Sequence, residues 1–145
     1  MDIRYTFEKI FDVDSEAIVF FSTNDLLEGS QDLMERAGSR ASESLTKIQG
    51  CPTGGVRIIP GYDLRQLYIL LTVLPEDIDS EINKRLFDNS FNEIIKTAKQ
   101  YDIMSLAINI DYLKEKYSQD YIESLNRVLN SEAHKFDDFI VYLCR

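Results

Sequence analysis

Ala17-Ile18-Val19-Phe20-Phe21 is an unbroken run of five apolar residues. A strand with one wet face alternates apolar and polar side chains, whereas a run without a polar member fits a strand covered on both faces. Comparable runs recur at Leu67-Tyr68-Ile69-Leu70-Leu71-Thr72-Val73, from Ile103 to Ile110, and at Phe139-Ile140-Val141-Tyr142-Leu143. Nearer the start, Ile3, Tyr5 and Phe7 alternate with Arg4, Thr6 and Glu8, which predicts a strand with one buried face.

Three segments of helical period lie between these runs. Leu33, Ala37, Ala41 and Leu45 stand four apart, with Ser30 placed to cap the segment. Ile82, Leu86, Phe91, Ile94 and Ala98 form one stripe against polar Lys84, Asp88, Asn92 and Lys96. Ile122, Leu125, Val128 and Leu129 face inward after a cap at Ser118. Doubly buried strands alternating with amphipathic helices predict an α/β protein with a layered sheet, Ala17–Phe21 central and helices on both faces.

Composition narrows the function classes. With 145 residues, 44% of them hydrophobic and 28% charged, the chain reads as one domain, 1–145, with a continuous core. A net charge of −9 disfavours nucleic acid and anionic membrane as partners. No run approaches the roughly 20 apolar residues of a bilayer span, and the N-terminus does not read as a secretory signal. The two cysteines, Cys51 and Cys144, lack metal-ligand spacing, and there is one histidine, His134. The expectation is a cytoplasmic protein with reduced thiols, no metal and no cofactor. Glu76, Asp77, Asp79 and Glu81 read as carboxylates at a helix start.

Open α/β sheets bind ligands beyond the carboxyl ends of their strands. The sequence places three such ends at 22–30, 60–64 and 109–114. In the first, Glu28 and Asp32 bring negative charge, and a lone glycine, Gly29, makes a poor phosphate cradle. The third has no glycine to supply the positive φ angles that wrap a diphosphate.

The segment Gly50-Cys51-Pro52-Thr53-Gly54-Gly55-Val56-Arg57-Ile58-Ile59-Pro60-Gly61-Tyr62-Asp63-Leu64, followed by Tyr68-Ile69-Leu70-Leu71-Thr72-Val73, closely resembles the macro domain. That family carries Cys-Pro-Thr-Gly-x-Ala, then Thr-Pro-Gly-Tyr-x-Leu, then a strand ending His-Thr-Val. Glu16-Ala17-Ile18-Val19, Leu26-Leu27 and Arg36-Ala37-Gly38 fit upstream, and 85–103 fits downstream. The resemblance implies a three-layer α/β/α domain with a mixed, largely parallel sheet and an ADP-ribose-binding ancestry.

The departures are concentrated where the family touches ligand. Its Asn-Ala-Ala-Asn, which serves the distal ribose, falls on Phe20-Phe21-Ser22-Thr23. Its first phosphate loop is reduced to Glu28-Gly29-Ser30. Its adenine-binding acid falls near Lys9, a donor where an acceptor is needed. Its second phosphate loop, Ser-Thr-Gly-x-Tyr/Phe-Gly, is replaced around Asp111-Tyr112-Leu113-Lys114. The retained signature reads as scaffold: Pro52-Thr53-Gly54 and Pro60-Gly61-Tyr62 turn the chain, and Tyr62 packs.

The leading expectation is a degenerate, non-catalytic macro-type binding module for a protein partner or a nucleotide-like small molecule, with weak or absent ADP-ribose binding. Its candidate ligand residues are Ser22, Thr23, Asn24, Asp25, Gly29, Ser30, Asn109, Asp111 and Tyr112, and none is assigned as catalytic. One alternative is an ADP-ribose binder or hydrolase rebuilt from Asn24, Asp25, Asn109 and Asp111. Another is a structural domain that self-associates. Phe20 and Phe21 alternate in direction, so both cannot plug one pocket.

Overall fold

A computed structural model describes residues 2–26, 31–118, 121–132 and 138–145, apart from the side chains of Gln31 and Glu132. Among them are six strands: β1 (Asp2–Thr6), β2 (Ala17–Phe21), β3 (Val56–Pro60), β4 (Tyr68–Thr72), β5 (Ser105–Asn109) and β6 (Ile140–Cys144). Five helices accompany them: α1 (Gln31–Ala37), α2 (Ser39–Ile48), α3 (Glu81–Gln100), α4 (Ile110–Tyr117) and α5 (Tyr121–Glu132). The strands form one sheet in the order β1-β6-β5-β2-β4-β3. Every neighbouring pair is parallel except β3–β4.

Both faces of β2 are apolar, and the two cores follow from that. Ala17, Val19 and Phe21 point into a cluster with Phe87, Phe91 and Ile94 of α3, Leu113 of α4, and Leu125 and Val128 of α5. Ile18 and Phe20 point the other way, toward Leu33 and Ala37 of α1 and Ala41 and Leu45 of α2. The chain is therefore a three-layer α/β/α structure with a mixed, mostly parallel sheet. Among the described residues, no helix is long and apolar enough to cross a membrane.

Several local expectations need correction. The four-residue spacing from Leu33 to Leu45 predicts one helix, but the structure has two. Gly38, at φ 95°, divides them, and a Cβ there would lie 2.4 Å from a carboxylate oxygen of Asp63. Ile82 and Ile122, assigned to inward stripes, are exposed. Ser118 does not open a helix; it closes α4 with φ 55°. The segment 109–114 is no loop, because β5 passes directly into α4 at Ile110. There are thus more helices than the three predicted.

The turn at Pro60–Leu64 lies at the end of the sheet opposite the expected ligand side. Antiparallel β3 sets Pro60 beside Tyr68, at the start of β4. Gly61 passes so close to the Gln66 carbonyl that a Cβ would meet its oxygen at 1.8 Å. Tyr62 hydrogen-bonds the Ser44 hydroxyl and lies beneath the Arg40 guanidinium. These are scaffold contacts.

Candidate functional site

The parallel strands end together at Thr6, Phe21, Thr72, Asn109 and Cys144. A cleft of about 280 Å³ opens there, lined by the segment Glu8–Phe11 after β1, by Asp32 and Arg36 of α1, by Asn109 and Asp111 where β5 meets α4, and by Cys144 and Arg145. Among the described residues, three cations and three acidic side chains line it, so these side chains balance in charge.

Its walls are held from behind. The Gln66 side chain is buried and its Nε2 donates toward the carbonyls of Ile10, Phe11 and Val13, at 3.4, 3.2 and 2.9 Å. Arg65 donates to the Asp12 carbonyl at 2.8 Å. Consecutive residues at the entry to β4 thus fix the loop that carries Ile10 and Phe11. On the Phe11 ring rests the Arg36 guanidinium, 4.6 Å from the centroid, and Arg36 also reaches Asp32 at 3.3 Å. A guanidinium stacked on an aromatic ring keeps its edge donors available in a fixed plane.

The sequence-predicted ligand residues divide into two groups. Asn109 and Asp111 line the cleft. Asn109 also caps α4, its side-chain oxygen accepting the Asp111 N–H at 3.0 Å. Asn24 instead binds the loop before β3: its amide donates to the Cys51 carbonyl at 3.0 Å and to the Thr53 hydroxyl at 3.3 Å, while its own carbonyl accepts the Cys51 N–H. The Thr23 hydroxyl donates to Asp25 at 2.6 Å. Ser22 is buried and extends the sheet by donating its N–H to Thr72. Gly29, Ser30 and His134 lie outside the described residues.

Tyr112 is the most informative of the set. It projects from the first turn of α4 onto Phe21, the rings stacking with centroids 4.9 Å apart and planes 19° from parallel. Phe21 in turn meets Phe91 at 6.2 Å. The ends of β2 and β5 are therefore bridged by aromatic packing. Phe20, on the opposite face, is half-buried against the α1–α2 side.

Neither cysteine is activated as a nucleophile. Burial, assisted by the charge of Glu8, pushes the Cys144 thiol up to about 11, so it holds its proton at neutral pH. Burial also raises the Cys51 thiol, against the opposing effect of Arg57. Among the described residues, no three His, Cys, Asp or Glu side chains converge as metal ligands. Asp77 sits in the predicted acidic cluster and is held below the usual carboxylate range by the Asp79 N–H, then by the Asn83 amide. Sequence reasoning missed Phe11, Arg36, Cys144 and Arg145 as cleft residues. Beside Asn109 and Asp111, Lys9 was singled out through the family resemblance.

The family model of the macro domain matches residues 24–110, more than half of the chain. Among solved structures, the macro domain of ganglioside induced differentiation associated protein 2 superposes with a TM-score of 0.82 at 19% identity, over 99% of this chain and 76% of that one. An Oceanobacillus iheyensis macrodomain with ADP gives 0.84 at 18% identity, over 97% and 80%. A Trypanosoma brucei macrodomain in complex with ADP-ribose gives 0.79 at 19% identity, over 98% of this chain but only 63% of that one. A search of curated proteins found no match.

Proposed function

The chain belongs to the macro domain family, and we propose that it is a non-catalytic binding module for a nucleotide-like ligand, one that does not hold ADP-ribose in the family's manner. The observation that carries this reading is the Phe21–Tyr112 stack beneath a capped α4. The resemblance assigns a distal-ribose amide pair to the end of β2 and a glycine-rich phosphate loop to the start of α4. Here the first is Phe20 to Thr23, and the second is a helical turn whose tyrosine packs on Phe21. The Asp111 N–H of that turn is already taken by the Asn109 side chain, so this donor is not offered to a diphosphate.

The cleft between Phe11, Arg36, Asn109 and Arg145 supports binding nonetheless. Phe11 and Ile10 offer an apolar wall to a planar base, and the Arg36 and Asn109 side chains offer donors to its acceptor edge. The neighbouring macrodomain structures hold ADP-ribose or ADP, which supports an adenine-type ligand as the first class to test. Catalysis has no comparable support, since neither cysteine is poised as a thiolate.

Calorimetric titration with ADP-ribose, ADP, AMP and adenosine tests the proposal. Each buried ligand group left unpaired costs about 1–3 kcal/mol. Three such losses take a micromolar affinity to roughly millimolar. ADP-ribose is expected to bind no more tightly than ADP. A dissociation constant in the low micromolar range for ADP-ribose, with ADP much weaker, would overturn it.

A further inference from the structure

A second cleft, of about 300 Å³, adjoins the first and shares Asp111 and Arg145 with it. It lies on the other face of the sheet. Leu143, which lines it, and Cys144, which lines the first cleft, point to opposite cores. The two clefts therefore meet over the carboxyl end of β6, where the Arg145 N–H continues the ladder to the Thr6 carbonyl at 3.0 Å.

The chemistry of the second cleft differs from that of the first. Its floor is apolar, made by Ile110, Leu125 and Leu143. Its polar groups include Lys114, Asn126 and Arg145, with Asp111 the one acidic side chain among the described residues of the lining. Lys114 follows Asp111 by three residues on α4, so both project from the same helical face. The Arg145 guanidinium is oriented by two aromatic rings, lying 4.7 Å from the Tyr5 centroid and 5.6 Å from that of Phe7. An ammonium and a ring-stacked guanidinium in one cleft, within a chain of net charge −9, form a local anion-binding arrangement.

At the carboxyl end of β2, Tyr112 stacks on Phe21, and neither ring lines the first cleft. A ligand seated against Phe11 and Arg36 can still extend across the end of β6. We infer that the phosphate end of the ligand takes this route and is held by Lys114 and Arg145 in the second cleft, one strand outward from β5. The inference rests on the nucleotide reading of the first cleft for the rest of the ligand, but the anion site itself is separately testable.

The experiment is a set of amide-resolved NMR titrations of the ¹⁵N-labelled chain with pyrophosphate, adenosine and ADP in turn. Pyrophosphate is expected to shift Lys114, Asn126 and Arg145, adenosine to shift Ile10, Phe11 and Arg36, and ADP to shift both sets. In Lys114→Glu, the ratio of ADP to adenosine affinity should fall roughly tenfold or more, because a charge-assisted contact becomes repulsion. Pyrophosphate that shifts none of the three residues, or shifts Asn24 to Leu26 instead, overturns the inference, as does an unchanged ratio in Lys114→Glu. Adenosine that leaves the first cleft untouched while pyrophosphate shifts the second defeats the nucleotide reading and leaves the anion site standing.

Discussion

Phe21, the last residue of β2, stacks on Tyr112 in the first turn of α4 at a centroid distance of 4.9 Å. This contact ties the end of a central strand to the start of the helix that follows β5. Phe21 is buried and also meets Phe91, whereas Tyr112 is only partly buried. Truncating Phe21 therefore opens a cavity, at a cost of about 3–5 kcal/mol, and truncating Tyr112 costs about 1–2 kcal/mol. Chemical denaturation of Phe21→Ala and Tyr112→Ala checks the ranking. Neither substitution should raise ADP-ribose affinity, since neither restores a ribose amide. A gain of tenfold in Tyr112→Ala would show that the ring alone blocks the family's site.

Gln66 is the second point of leverage. Its Nε2 faces three carbonyls of the loop that carries Phe11. Gln66→Leu removes that donor and leaves buried acceptors unsatisfied, for a loss of roughly 2–5 kcal/mol. Gln66→Glu should be worse at neutral pH, because a carboxylate presents only acceptors to those carbonyls. Protonation supplies one donor, so the folded state raises the pKa of the introduced acid. Its contribution to stability is then intact below the unfolded value of about 4.3 and lost as pH rises through the folded value. Urea midpoints across pH 3 to 7 should show Gln66→Glu converging on the native chain as pH falls. Parallel curves would mean that the donor is not what holds the loop.

Much of the architecture was legible because both faces of the central strands are apolar. Ala17–Phe21 has no polar member, and its alternate residues do enter opposite cores. The long amphipathic stripe of α3 was equally readable. The boundary at Asn109–Ile110 was not. Leu106, Ile108 and Ile110 continue one apolar run across it, and such a run cannot distinguish period 2 from period 3.6. The capping signal was present in Asn109, with Leu113 and Tyr117 at helical spacing beyond it. Gly38 hid for a related reason, since the apolar spacing passes through the break it makes. The cleft was harder still. Phe11, Arg36 and Arg145 come from separate elements, and only the sheet order, with β6 inserted between β1 and β5, brings them together.

The buried thiols make a pH-dependent prediction. Cys144 is raised to about 11, first by burial and then by the charge of Glu8. A raised thiol favours the protonated folded state, so its contribution to stability is intact below the unfolded value near 9. It is lost between there and about 11, amounting to roughly 2–3 kcal/mol. Cys144→Val should therefore lose less stability than the native chain between pH 8.5 and 10.5, measured as the difference in urea midpoints. In parallel, a thiol-specific chromogenic disulfide should label both cysteines slowly in the folded chain and rapidly in urea, as both are buried. Fast labelling of the folded chain at pH 7.5 would contradict the protonated, inaccessible thiols on which the non-catalytic reading relies.

Hydrolysis of ADP-ribose from a modified protein is the sharpest test of that reading. Catalysis by positioning requires the distal ribose and a water to be held beside the diphosphate, and such positioning can account for several kcal/mol of a barrier. In this chain the end of β2 carries Phe20 and Phe21, the Thr23 hydroxyl is committed to Asp25 at 2.6 Å, and Asn24 is tied to the loop before β3. Asp111 is the other carboxylate in the predicted set. It lines the open cleft, and its backbone N–H completes the Asn109 cap. The expected result is no ADP-ribose release above the uncatalysed rate from the native chain, with Asp25→Ala and Asp111→Ala indistinguishable from it. Turnover by the native chain that Asp111→Ala abolishes would make the open cleft an active site. Turnover abolished by Asp25→Ala alone would place the chemistry at the end of β2, despite the aromatic stack there. Either outcome would overturn the binding-module proposal and make the chain an enzyme.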